Sequence, residues 1–246
     1  MNQPSFARRI QRVRHELLRH EVRVRDIQAI SPGFLAITFT GESLSAFVSL
    51  SFDDHVKLIL TDSAGLTHRR DFTPLRFKPE SNELTLEFAL HEAGAACQWA
   101  RQAKVGDPAV IGGPRGSMVI PTDYAWHLLA GDASALPAIQ RRLEEFPEGT
   151  HAQVLLHLPL SQDERNFRSK ADLQLQWLAT SEGLVNAIRQ LQFPPGEGFV
   201  WCAGEATSMA QIRDILLLDK QLARDTVRVS AYWKSGAADF HEAKEQ

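Results

Sequence analysis

Cysteine is scarce in this chain: Cys97 and Cys202 are the only two among 246 residues, and they lie far apart. They form neither a CxxC pair nor a disulfide framework, which excludes a small stapled domain and fits a reducing compartment. Long apolar runs are also missing. The longest are strand-sized, so no membrane span is expected, and the opening stretch MNQPSFARRIQRVRHELLRH lacks the apolar core of a signal peptide. Positive charge is not in excess. Lys and Arg number 27 against 30 Asp and Glu, a net charge of -3, which is no footprint for nucleic acid. Nine histidines show no ligand spacing such as HExxH, so no protein-bound metal is expected. The expectation is a soluble, cytoplasmic, monomeric protein with no nucleic-acid partner. Arg8, Arg9, Arg12, Arg14 and Arg19 concentrate charge locally, and residues 1–20 read as a solvated arm or helix.

What is present is patterned. With 43% hydrophobic and 23% charged residues the chain is globular, and its length suits one large domain or two small ones. The first half alternates. EVRVRDIQAI, GFLAITFTG, HVKLIL, RRDFTPLRF, ELTLEFAL and DPAVIGG read as short strands, with turn signals at TDSAG and KPESNE. Such spacing predicts an antiparallel barrel, with one helix, AACQWARQAK, near its end. Near VIPTDY the period changes. AWHLLAGD, HAQVLLHLP, GFVWCAGE and TVRVSAYW read as buried strands. SALPAIQRRLEEF with Ser134 as N-cap, SEGLVNAIRQL and ATSMAQIRDILLLDKQL read as helices. Strand–helix alternation predicts a parallel sheet covered by helices. The expected fold class is β + α/β: a β-barrel over residues 1–122, then a Rossmann-like parallel α/β domain over 123–246. Such a sheet binds nucleotides at the carboxyl ends of its strands.

RRDFTPLRF, residues 69–77, is a stretch that an ordinary sheet does not require. A flavin dinucleotide asks a strand for an aromatic against the isoalloxazine, a hydroxyl or amide near N5, and positive charge for the pyrophosphate. Phe72, Thr73 and Arg70 supply these in that order, with Arg70 and Phe72 on one face by alternation. Arg76 adds charge further along. A surface strand with solvated arginines would carry the same letters. HEAGAACQWA places a glycine and small residues at a helix start, where backbone N–H groups form an anion site. GDPAVIGGPRGS is a Gly-rich turn holding Arg115. LLAGDASALPAI has the strand–turn–helix form of a nucleotide phosphate site, without GxGxxG or GKS/T. Cys202, inside a buried strand pattern, reads as an inert core thiol.

RRDFTPLRF, HEAGAACQWA, GDPAVIGGPRGS, LLAGDASALPAIQRRLEEFP, WCAGEATSMAQIR and SAYWKSGAADFHE, in this order, resemble the siderophore-interacting proteins. These are a branch of the ferredoxin-reductase-like flavoproteins that includes ferric-siderophore reductases. The resemblance implies an FAD-binding barrel and an NAD(P)H-binding α/β domain of ferredoxin-NADP reductase type. By position, Arg70, Asp71, Phe72 and Thr73 would hold the flavin ring and its phosphates. His91, Gly94, Ala95, Ala96, Cys97 and Trp99 would surround the pyrophosphate at the helix start. Arg115, Gly116 and Ser117 would complete the FAD site. Gly131, Asp132 and Ser134 would lie at the nicotinamide nucleotide site, with Gly204 and Glu205 on its other side. Tyr232, Trp233 and Lys234 would sit near the flavin. The chain departs from the family pattern in having Phe72 for Tyr, Cys97 for Ser, Ala133-Ser134 for Glu-Thr, and Arg76 one place late.

The implied reaction passes electrons from NAD(P)H through FAD to siderophore-bound Fe(III). Hard catecholate or hydroxamate oxygens hold Fe(III) more tightly than Fe(II), so reduction releases the iron. Outer-sphere transfer asks for no protein acid or base, and no catalytic side chain is assigned. An anionic ferric siderophore asks for a local basic pocket, for which Lys57, Arg115 and Lys234 are the candidates. Arg165, Arg168 and Lys170 in LSQDERNFRSK favour NADPH over NADH, against Asp163 and Glu164 in the same loop. Three readings compete: a siderophore carrier without turnover, a flavoprotein driven by ferredoxin, and a general NAD(P)H:flavin or quinone reductase.

Overall fold

Alternation builds the first unit of the chain, Met1–Pro121. Along RHEVRVR, His20, Val22 and Val24 are buried while the residues between them face solvent. The computed structural model describes residues 9–61, 65–90 and 94–237. Its first unit contains β1 (Gln11–Arg14), β2 (Arg19–Ser31), β3 (Phe34–Thr40), β4 (Val56–Thr61), β5 (Thr67–Phe72), β6 (Pro74–Lys78), β7 (Glu83–Ala89), β8 (Pro108–Gly112) and β9 (Gly116–Val119). Seven of these form an antiparallel sheet in the order β5-β4-β8-β2-β3-β7-β6, and β1 pairs with β9. Ile37, Phe39, Leu58, Leu84, Leu86, Phe88 and Ile111 fill its interior, each burial stabilising by roughly 1.5–3 kcal/mol. The helix α1 (Ala95–Gln102) packs on β5 and β7.

RRDFTPLRF is two strands rather than one. Thr73 separates β5 from β6, and these consecutive strands are the two edges of the seven-stranded sheet. Pro74, which has no N–H to give a ladder, opens β6. The ring of Phe72 lies 4.5 Å from that of Phe88 on β7, which brings one edge against the other end of the sheet. The barrel therefore closes at Thr73. The reading of residues 1–20 as an arm or helix needs correction: Arg12 and Arg14 lie in β1 and Arg19 opens β2. Their charges occupy the solvent face of paired strands, which masked the period of two. Residues 1–8, with Arg8, lie outside the described residues.

The second unit, Thr122–Gln246, carries β10 (Trp126–Asp132), β11 (His151–His157), β12 (Asp172–Leu178), β13 (Gly198–Glu205) and β14 (Val227–Trp233), with α2 (Leu136–Glu145), α3 (Ser181–Gln190) and α4 (Ala206–Asp214). All five strands run parallel in the order β12-β11-β10-β13-β14. Every residue of β10 is buried, as a strand covered on both faces must be. The chain runs outward from β10 to β12, then returns to place β13 on the other side of β10. The switch point is thus between β10 and β13, where an open α/β sheet forms its ligand crevice. Two details differ from expectation. Ser134 is not an N-cap: it lies in a short 3-10 turn, Ala133–Ala135, capped by the Asp132 side chain. α4 runs into a π-helical turn, Ile215–Asp219, rather than continuing regularly. Beyond it Lys220 Nζ donates to the Arg189 and Leu191 carbonyls at 3.0 and 2.6 Å, closing the end of α3. Among the described residues no helix is long and apolar enough to cross a membrane.

Candidate functional site

In the first unit Arg70, Phe72 and Thr73 lie at the barrel's closure, and α1 packs on β5 and β7 beside them. Arg70 pairs with Leu58 and Phe72 with Val56 across the β4–β5 ladder, so the guanidinium and the ring share a face. Both are half-buried. Arg70 Nη1 donates to the Arg69 carbonyl at 2.8 Å. Thr73 is buried between the edges, while Arg76 is exposed on β6, at the other edge. Asp71 points the opposite way and accepts from Lys57 Nζ at 2.8 and 3.1 Å through its two oxygens. Lys57, a candidate for an anionic substrate, is thereby neutralised on its own sheet.

Beside β5 and β7, α1 starts at Gly94, which has no side chain with which to cap the helix. Among the described residues, a Cβ built there would meet nothing within 4 Å. Ala95 and Ala96 follow, so no bulky side chain from these residues covers the first-turn N–H groups. Cys97 Sγ donates to the Ala89 carbonyl at 3.1 Å, and the Trp99 ring lies 6.1 Å from those of Phe39 and Phe88. These two side chains anchor the helix to the barrel. His91 lies outside the described residues.

The third FAD segment divides by role. Arg115 is exposed. Gly116 lets β9 approach β1, since a Cβ there would fall 2.5 Å from the Val13 carbonyl oxygen. Ser117 is buried; its hydroxyl donates to Asp54 Oδ2 at 2.7 Å, accepts from the Leu50 N–H at 3.2 Å and meets His15 Nε2 at 2.8 Å. Asp54 also accepts from Ser49 Oγ and the Ser51 N–H. The Ser117 hydroxyl is committed to the barrel. Asp54, which organises this loop, was missed by sequence reasoning; its signal was the acidic pair in SFDDH, set among apolar residues. Taken together, the first unit fits FAD. It offers a ring-sized aromatic, a guanidinium on the same face and a helix start open where a side chain would sit.

In the second unit Asp132, 7% exposed, is the centre of the crevice. One carboxylate oxygen accepts from Ser134 N–H and Oγ–H at 2.9 and 2.6 Å, the other from Glu205 N–H and Trp233 Nε1–H at 2.8 and 2.9 Å. It ties together the ends of β10, β13 and β14. Gly204 makes room for it: a Cβ there would fall 2.6 Å from Asp132 Oδ2. Gly131 is equally tight, with a Cβ falling 2.3 Å from the Ala203 carbonyl oxygen and 2.5 Å from Ala135 Cβ. Glu205 caps α4, accepting from the Thr207 and Ser208 N–H groups at 2.6 and 3.1 Å, and from Ser235 N–H at 3.4 Å. His157 ends β11 opposite Asp132. Burial lowers its pKa, against the pull of Asp132 and a backbone bond at Ala179. Tyr232 sets its ring edge-on to Trp201, and Lys234 is exposed. In the loop after β11, Asp163 is fully buried, Arg165 half-buried, and Arg168 and Lys170 exposed. Cys202 is fully buried, which pushes its thiol far up and leaves it inert at neutral pH.

Two family models cover most of the chain: the siderophore-interacting FAD-binding domain over residues 23–69 and 63–118, and the siderophore-interacting protein model over 124–236. The chain is 34% identical to an NADPH-dependent ferric-chelate reductase of Escherichia coli, over 91% of its own length and 96% of the relative's. It is 29% identical to a ferric vibriobactin reductase of Vibrio cholerae, over 87% and 90% of the two lengths. The crystal structure of a siderophore utilization protein from T. fusca superposes with a TM-score of 0.89 at 27% identity, covering 94% of this chain and 98% of that one. With the antiparallel barrel, the parallel sheet and these matches together, the chain belongs to the siderophore-interacting protein family.

Proposed function

We propose that this protein is an FAD-dependent ferric-siderophore reductase, drawing electrons from NADPH and releasing Fe(II) from an anionic siderophore in the cytoplasm. The observation that carries this reading is the barrel closure at Thr73, where Arg70 and Phe72 share one face beside the open start of α1. Held there, FAD would supply the chemistry that joins a two-electron donor to a one-electron acceptor. Phe72 would lie against the isoalloxazine, Thr73 would meet its polar edge, and Arg70 with the α1 N–H groups would carry the pyrophosphate. Asp71 keeps Lys57 in place and lowers the net charge it presents. Arg115 of the first unit and Lys234 of the second are both exposed, and each is by itself a candidate for attracting the anionic chelate. Arg168 and Lys170, beyond the carboxyl end of β11, receive the 2'-phosphate that distinguishes NADPH. No side chain exchanges a proton with the substrate, because electron transfer to a chelated ion leaves its ligands in place.

An anaerobic absorbance titration tests this. The purified chain with FAD should show oxidised flavin bands that NADPH bleaches faster than NADH does. Adding a ferric triscatecholate with a ferrous trap should restore the bands as Fe(II) accumulates. A chain that retains no flavin overturns the reading at the barrel. Flavin that neither nucleotide bleaches moves the donor to a protein such as reduced ferredoxin. Equal turnover of free flavin and ferric chelates selects a general reductase.

A further inference from the structure

Every second residue from Gly113 to Ser117 is gripped by the segment between β1 and β2. The Gly113 N–H donates to the Leu18 carbonyl at 2.9 Å, and the His15 N–H donates to the Arg115 carbonyl at 3.0 Å. Ser117 is held by a side chain: the His15 imidazole brings Nε2 to 2.8 Å from its hydroxyl. That hydroxyl has one proton, which goes to Asp54 Oδ2 at 2.7 Å, so His15 Nε2–H is the other donor. The His15–Ser117–Asp54 relay therefore runs from a half-buried ring to a carboxylate only 2% exposed. Asp54 stands just before β4, whose first residue, Val56, pairs with Phe72 at the barrel closure. The relay thus ties the loop after β1, the strand β9 and the approach to β4. Burying these groups is costly unless all are paired, and apolar side chains would join the same segments without that cost. What a paired polar relay adds is a single geometry. Arg115 stands exposed between the gripped residues.

An arginine that captures an anion gives up rotamer freedom, and a backbone fixed beforehand lowers what is left to order. Resting on the reading of Arg115 as a contact for the anionic ferric chelate, we propose that His15 is a positioning residue for that contact. Acting through Ser117 and Asp54, it holds the Arg115 backbone so that the guanidinium is presented from one fixed turn. His15 touches neither chelate nor flavin in this scheme. Its removal leaves the Arg115 charge in place and loosens the turn that carries it.

The test uses the full chain loaded with FAD and two probes. A ferric triscatecholate with a ferrous trap reads steady-state reduction, and the redox-inert gallium(III) triscatecholate reads binding by calorimetry. His15→Ala should raise KM for the ferric chelate and weaken gallium chelate binding about three- to fivefold, the scale of one partly screened charged contact. Its kcat and FAD affinity should match the parent's. His15→Gln, whose amide N–H replaces the imidazole donor to Ser117, should restore both KM and binding. Ser117→Ala breaks the relay at its middle and should match His15→Ala, which decides the matter should His15→Ala fail to fold. In an Arg115→Gln background, His15→Ala should change nothing further. Chelate binding unaltered in His15→Ala and Ser117→Ala, losses in kcat or FAD affinity instead of KM, or His15 and Arg115 effects that multiply, overturn the proposal. If the parent binds the gallium chelate but does not reduce the ferric one, the reductase reading falls and the binding series still decides this proposal. If the parent binds no chelate, both fall.

Discussion

α1 and α4 are built alike and used differently. Each follows a strand of its own unit and presents a first turn of backbone N–H groups. At α1 the N-cap is Gly94, and no described residue comes within 4 Å of where its side chain would be. At α4 the N-cap is Glu205, whose carboxylate takes the Thr207 and Ser208 N–H groups. The dipole and the donors are the same in both. One residue decides whether the helix start is left for a ligand or satisfied within the fold. Among the described residues the barrel leaves this helix start without a side-chain cap, and the sheet caps its own with a carboxylate.

The largest expected effect sharpens the second unit's side of the comparison. His127 is buried against Tyr124 and Phe146, and burial, then the nearby Arg142 charge, pulls its pKa from 6.5 to about 4. The unfolded chain binds the proton more tightly, so this contribution is complete above pH 6.5 and is lost as pH falls towards 4. The total is on the order of 3 kcal/mol. Urea unfolding at a series of pH values should show that loss, and His127→Phe should flatten it. Gly131→Ala attacks the same unit sterically. A Cβ 2.3 Å from the Ala203 carbonyl oxygen must push β10 and β13 apart, costing about 2 kcal/mol by chemical unfolding. Gly94→Asp breaks the comparison from the other side, giving α1 the kind of cap that α4 has. Apo stability should hold or rise by roughly 0.5 kcal/mol, while FAD affinity falls roughly tenfold by flavin fluorescence. An unchanged FAD affinity would remove α1 from the site. The smallest effect separates the basic candidates. Lys57→Gln should change KM for a ferric catecholate by less than about twofold, because Asp71 already neutralises that charge. Arg115→Gln should raise it several-fold.

Most of the architecture was legible in the sequence. Alternation in EVRVRD and ELTLEF, and the change of period after VIPTDY, follow directly from which faces are covered. The losses have identifiable causes. DLQLQWL, now β12, alternates cleanly but was passed over between stronger apolar signals. It is an edge strand with three of its seven residues exposed and none fully buried. The basic segment around Arg12 hid β1 because its partner, β9, is more than a hundred residues away, and pairing at that distance leaves no local mark. RRDFTPLRF was recognisable by residue type but not by shape. Its letters announced an aromatic and three arginines, while the placement of β5 and β6 on opposite edges depends on strands elsewhere in the sheet. At the crevice, GDASAL and AGE marked the right turns. That Asp132 and Glu205 would spend their carboxylates on the chain's own N–H groups required the fold.

The join at Thr73 has a consequence for the barrel's motions. Every other contact between neighbouring strands of that sheet is a ladder of backbone hydrogen bonds, but β5 and β6 share none and meet through the chain at Thr73 and the Phe72–Phe88 ring contact. Opening at Thr73 therefore breaks no ladder. A flavin resting on Phe72 and Arg70 would act as a clasp across the join. Amide exchange along β5 and β6 should then slow when FAD is added, more than along the paired interior strands β2 and β3. The protein's hold on its cofactor and the integrity of its barrel would be one equilibrium seen from two sides.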